Sequence, residues 1–156
     1  MPAQEFVPVV PAGFEIAGSF NGVTTAVAPG GVPRIRYRIH QGVQFRSGGL
    51  IGFATRQVLK RGVGDEVLIG SLHTRLATAL MLVGVMPEAG LVERLDSHPI
   101  AALVVGRYND HKTEALRYGA MALVRGRPGI VEVLVTECDS EAASRELINA
   151  AMAPYL

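Results

Sequence analysis

The sequence predicts one layered α/β domain of the α+β kind, a mainly antiparallel sheet packed with helices. Three observations lead there. The chain has 156 residues, 49 % of them hydrophobic, which supplies one core. Segments with strand-like patterning flank segments whose apolar residues recur at helical spacing. Eighteen glycines and nine prolines, without any period, punctuate short elements.

Residues 1–13 are expected as an extended arm, because Pro2, Pro8 and Pro11 oppose helix. Residues 14–156 form the domain. Two short strands, 14–19 and 22–28, are joined by the Asn21-Gly22 turn. Residues 33–40 alternate strictly. Ile35, Tyr37 and Ile39 share one face, and Arg34, Arg36, Arg38 and His40 the other. Residues 47–61 read as a helix with Ile51, Ala54, Val58 and Leu59 as its apolar stripe and Gly62 as its stop. Asp65 is placed as the cap of a second helix over 66–76, with Leu68, Leu72 and Leu76 four apart.

Residues 78–85 read as a buried strand ended by Pro87, 88–95 as a short helix, and 99–105 as another buried strand. That order permits one parallel pair. Residues 109–118 are open between a capped short helix and a loop. Strands over 119–124 and 130–136 are linked by a turn at 125–129, rich in Gly, Arg and Pro. Asp139 or Ser140 caps a last helix to about Met152, whose stripe is Ala143, Leu147, Ala150 and Ala151. The apolar surplus and the many helix alanines point to a homo-oligomer.

The formal net charge is only +1, yet the charges are segregated. Thirteen of the fifteen basic residues are arginine, and the window from Arg34 to Arg61 holds seven basic residues and no acid. Acids outnumber bases in the second half. A single cysteine, Cys138, makes no internal disulfide. Met1 to Pro11 lacks the basic and apolar regions of a signal peptide, and no apolar run approaches the ~20 residues of a membrane span. A cytoplasmic protein with no membrane partner is therefore expected. With no Trp and nine Phe and Tyr, a broad stacking surface for single strands is not expected.

The arginine strand is the first candidate site. Guanidinium groups about 7 Å apart along one strand face repel one another until an anion neutralises them. Arginine also suits bidentate contacts to phosphate or carboxylate. Arg34, Arg36, Arg38, Arg46, Arg56, Lys60 and Arg61 are the candidate anion- or RNA-binding residues. A solvated outer face, or ion pairs to the acid-rich half of a neighbouring copy, answers the same pattern. Ser71 and His73 meet as nucleophile and base only on a strand; on a helix, residues two apart diverge. His111 and Glu114 stand one helical turn apart and can face a common metal or substrate, or can simply cap a helix and form a surface pair. Asp96 and His98 form another polar cluster. Cys138, between a strand and a helix, is either a thiol of lowered pKa or an inert buried cysteine. No His-x-x-x-His pair, cysteine pair or nucleotide fingerprint is present, so no metal site is expected and no cofactor is indicated.

The stretch from Phe45 to Leu72 resembles the HutP family, antiterminators of histidine-utilisation operons. The matched residues are Arg46, Ala54, Thr55, Leu59, Glu66, Leu68, Gly70, Ser71 and Leu72, with a looser echo at Ile100, Ala101, Gly106, His111 and Glu114. The resemblance covers residues 45–120. It implies an antiparallel sheet with helices, a ring-like hexamer, and RNA binding dependent on a metal ion and histidine. Two metal-ligating histidines of the family correspond to Gly49 and Phe53, which bind no metal. The first 44 residues read as strands and turns where the family has helix, and 130–152 extend beyond the match.

Function is thus expected in one of three classes. The first is an oligomeric ligand-binding or regulatory protein whose arginine face takes an anion or RNA. The second is an enzyme, a hydrolase or lyase, acting on an anionic metabolite at a subunit interface. Its arginines would hold the substrate while His73, His98 or His111 transfers protons with Glu66, Asp96 or Glu114. The third is a self-assembly protein in which the arginine face meets a neighbour's acids.

Overall fold

A computed structural model describes residues 6–40, 64–95, 101–126 and 129–156. Among these the chain forms eight strands: β1 (Glu15–Phe20), β2 (Val23–Val27), β3 (Arg34–His40), β4 (Gly84–Ala89), β5 (Glu93–Arg94), β6 (Ala101–Asp110), β7 (Leu116–Gly126) and β8 (Gly129–Cys138). They make one sheet in the order β1-β2-β3-β8-β7-β6-β4, with β5 following β4 on the same edge of β6. Every pairing is antiparallel, so the parallel pair that the sequence permitted is not formed. The helices are α1 (Gly64–Gly70), α2 (Leu72–Leu80) and α3 (Glu141–Met152), followed by a 3-10 turn at Ala153–Tyr155.

The β6-β7-β8 meander is buried on both faces and reads as near-continuous apolar sequence. On its front face lie Ala102, Val104, Tyr108, Met121, Leu123 and Ile130, covered by Ile69 of α1 and by Leu72, Leu76 and Leu80 of α2. On its back face lie Leu103, Val105, Ala122, Val124, Val133 and Val135, covered by Ile148, Ala151 and Met152 of α3. Each large apolar side chain so buried contributes about 2 kcal/mol relative to exposure. Phe6, Val10 and Phe14 of the N-terminal segment also lean on the back core. The ring of Phe6 lies 6.2 Å from that of Tyr155, whose hydroxyl accepts the Val9 N–H at 3.0 Å.

Several expectations need correction. The stretch 78–85 is not a strand: α2 runs on to Leu80, turns through 81–83, and only then enters β4. The helical spacing of Leu72, Leu76 and Leu80 extends four residues past the expected end, and it decides the matter because all three are fully buried. The expected helix at 88–95 is the end of β4 and the short β5. Pro87 sits within β4, an edge strand whose register slips between Val85 and Glu88, where a missing N–H is tolerated. The expected helix at 66–76 is broken at Ser71, whose φ −91° and ψ 0° leave the helical range. Asp65 falls inside α1, not before it.

The last helix is capped by Ser140, whose Oγ accepts the Ala143 N–H at 3.0 Å. Its buried stripe is Ser144, Ile148, Ala151 and Met152, rotated from the expected one; Ala143 and Ala150 are exposed. Ile148 and Met152 carry the bulk that fills the space above the sheet, and the alanines do not. Residues 109–118 are the end of β6, the hairpin turn at 111–115 and the start of β7. The expected helix over 47–61 and the histidine positions matched by Gly49 and Phe53 lie outside the described residues. Among the described residues no helix is long and apolar enough to cross a membrane.

Candidate anion-binding cleft

The sheet is wider than the helices that cover it. On the front, α1 and α2 pack over β6, β7 and part of β8, and among the described residues no helix lies over the front of β1, β2 and β3. The two-residue alternation of β3 decides what that surface carries. Ile35 and Tyr37 point to the back core and are fully buried, so Arg34, Arg36 and Arg38 must point forward. Their register partners on β8 are Thr136, Leu134 and Glu132.

Between this wing and α2 lies a cleft of about 620 Å³. Arg36 and Arg38 on one side face Thr74, Arg75 and Thr78 of α2 on the other, with Glu132 between. Phe20, Val23, Leu82, Met121 and Leu134 supply apolar wall. Phe20 and Leu82 are about four-fifths exposed at 79 % and 82 %, so the mouth of the cleft is apolar.

Glu132 organises the charge. It is the one acid in the apolar run of β8 and is 7 % exposed. Arg75 forms an ion pair with its Oε1, and His40 Nε2 stands 3.8 Å from its Oε2. Burial by itself would raise the carboxyl's pKa. The facing His40 ring and the charges of Arg75 and Arg38 outweigh burial and hold it below the ordinary value. Glu132 Oε1, Arg75 Nη1 and His40 Nε2 are nonetheless buried without a hydrogen bond. The Arg75 contact is an ion pair, and hydrogen-bonding capacity is left over around it.

Of the predicted arginines, the fold brings Arg36 and Arg38 into the cleft with Arg75. Arg34 is answered within the chain: its Nε donates to the Gly31 carbonyl at 3.3 Å and lies 3.4 Å from Glu137 Oε2. Arg36 is half-buried and makes no ion pair with a described residue. Three guanidinium groups thus face one carboxylate. Arg46, Arg56, Lys60 and Arg61, with Asp96 and His98, lie outside the described residues.

The catalytic candidates do not assemble. Ser71 and His73 are at the start of α2 and diverge. Ser71 Oγ donates to the Leu68 carbonyl at 3.0 Å, while the exposed His73 ring meets Thr74 Oγ1 at 3.2 Å. His111 and Glu114 are exposed on the β6-β7 turn, not on one helix face. That turn is organised instead by Asp110, whose Oδ1 accepts the Lys112 and Thr113 N–H groups at 2.8 and 3.1 Å. These same bonds hold the Asp110 carboxyl below its ordinary pKa. Cys138 is buried, and its thiol is pushed up to about 11, first by burial and then by the Asp139 and Glu137 carboxylates. It is the buried alternative, not an activated thiol.

Sequence reasoning missed Arg75 and Glu132. Glu132 had a legible signal, a lone acid within Ile130 to Val135. Arg75 had none, because nothing local says which sheet residue a helix arginine will meet. No family model, curated protein or solved structure matches this chain.

Proposed function

We propose that this chain is a ligand-binding protein that takes a small organic anion in the cleft between β3 and α2. The supporting observation is the excess of charge there: among the described residues, Arg36, Arg38 and Arg75 face the single carboxylate of Glu132. Such a cluster favours a carboxylate or phosphate that each guanidinium can grip in two places. The apolar wall adjoining the arginines suits an anion with a hydrocarbon or aromatic body. The volume of about 620 Å³ falls within the range of small-molecule sites. A regulatory homo-oligomer, with RNA as an alternative polyanion on the same arginine row, extends this reading along the HutP resemblance.

The geometry favours binding over catalysis. The described histidine nearest to an acid beside an arginine is His40, and 3.8 Å to Glu132 is beyond proton-transfer reach.

Calorimetric titration with phenyl phosphate and with benzoate across a salt series tests the proposal. Affinity should fall steadily as salt rises, and Arg36→Ala should weaken it about tenfold. A short single-stranded RNA is titrated in parallel. Binding of RNA but of neither small anion would replace the small-ligand reading with the RNA one. Binding of phenyl phosphate that ignores both salt and Arg36→Ala would overturn the assignment of the cleft.

A further inference from the structure

The back of the sheet carries a second cleft, of about 750 Å³, between the N-terminal segment, α3 and the ends of β3, β7 and β8. Its body is apolar: Phe14, Val32, Pro33, Leu147 and Ala150 line it, with Cys138 on its floor. Ala143 and Ala150 owe their exposure to this cleft. They are the two residues of the apolar stripe expected for α3 that the sheet does not use.

The ionised groups at its rim have the opposite sign to those of the front cleft. Asp110, Glu137, Asp139 and Glu146 face Lys112 and Arg117. Arg117 pairs with Asp139, and Glu137 is met by Arg34 from outside the cleft. Among the described residues that leaves Asp110 and Glu146 against Lys112, a surplus of one carboxylate. Asp110 stands at the rim on the β6-β7 turn, where its Oδ1 accepts the Lys112 and Thr113 N–H groups.

We propose that this back cleft is a second ligand site, selective for an organic cation: an amine with an aromatic or branched aliphatic body. The body displaces water from the Phe14–Leu147 wall, and the ammonium takes a place among carboxylates that already outnumber the rim's cations. An anion of the same shape would have to approach that surplus of negative charge. The two faces of one sheet thereby take ligands of opposite charge, and the back site stands independently of the reading of the front cleft.

The chain's single cysteine makes the test direct, because Cys138 reports from the cleft floor. Two methanethiosulfonate reagents are compared on the full chain, one carrying a trimethylammonium group and one a sulfonate. Each rate is divided by that reagent's rate with free cysteine, so the suppressed ionisation of the thiol cancels. The cationic reagent should then be faster by about fivefold at low salt, and Glu146→Gln, an exposed and structurally mild change, should lower that ratio. Phenethylamine should slow modification, in wild type and in Arg36→Ala alike, while 3-phenylpropionate should not. Leu147→Trp, which fills the cleft, should remove the effect of phenethylamine. A normalised ratio of one or below, or equal protection by the carboxylate, would overturn the proposal.

Discussion

Replacing Glu132 by glutamine gives the sharpest test of how the front cleft is built. The substitution keeps size and shape but removes the only described carboxylate facing Arg38, Arg75 and His40. Breaking a fully buried ion pair from one side costs about 3–5 kcal/mol. Arg75 and His40 keep 27 % and 23 % of their side-chain surface, so solvent screens part of that loss and about 2 kcal/mol is expected. Urea denaturation at pH 7 measures it. The pH dependence carries the same information. Glu132 has its pKa depressed in the native state, so its contribution is present above the ordinary carboxylate range and is lost as pH falls through the lowered native value. Wild type should therefore lose stability on acidification more steeply than Glu132→Gln. Ligand binding should move the other way. A carboxylate about 7 Å from a bound anion repels it by about 2 kcal/mol at an effective dielectric of about 20. Glu132→Gln should accordingly bind phenyl phosphate at least tenfold more tightly, although it is the less stable protein. Unchanged stability together with unchanged affinity would refute the view that Glu132 holds the arginines of this cleft in balance.

Three further outcomes follow from the packing and the titrating groups. Leu80→Ala removes a fully buried side chain at the end of α2, in contact range of the paired glycines Gly106 and Gly119, and should cost about 3–5 kcal/mol in urea unfolding. Ser140→Ala removes the oxygen that accepts the Ala143 N–H and should cost about 1 kcal/mol, seen as a lower thermal midpoint with an unchanged circular dichroism spectrum. Stability should also fall at alkaline pH. The native Cys138 thiol titrates at about 11 against an ordinary 9.0, so the unfolded chain loses its proton first and native stability drains between these values. That is about 2–3 kcal/mol over the window, and Cys138→Ala should flatten the pH 9–11 slope. Tyr108, pushed up to about 12 chiefly by burial, leaves a residual slope in the variant.

Periodicity carried a large part of the fold. The strict alternation of Arg34 to His40 determined that β3 has one apolar and one cationic face, and the structure buries Ile35 and Tyr37 accordingly. The Asn21-Gly22 turn, a helix cap at Asp139 or Ser140 and the mainly antiparallel class were legible for the same reason: each depends on residues close in sequence. Failures came where local pattern was ambiguous. Residues 78–85 are apolar enough for either a strand or the tail of a helix, and only the fit of Leu76 and Leu80 against Gly106 and Gly119 makes them the tail. The stripe of α3 was misplaced because spacing alone cannot weigh Ile148 and Met152 above alanines; contact with the sheet does.

The sequence by itself determined that cations gather in the first half and that one strand displays them together. It could not say what answers them. Arg34 and Glu137 are 103 positions apart, and Arg75 and Glu132 are 57 apart, so no local rule connects them. Only the antiparallel register of β3 on β8, and the seat of α2 beside it, set Glu132 among Arg38, Arg75 and His40 and left Arg36 open to the cleft. Charge identity is a property of the residues, whereas charge balance depends on distance, and distance belongs to the tertiary fold.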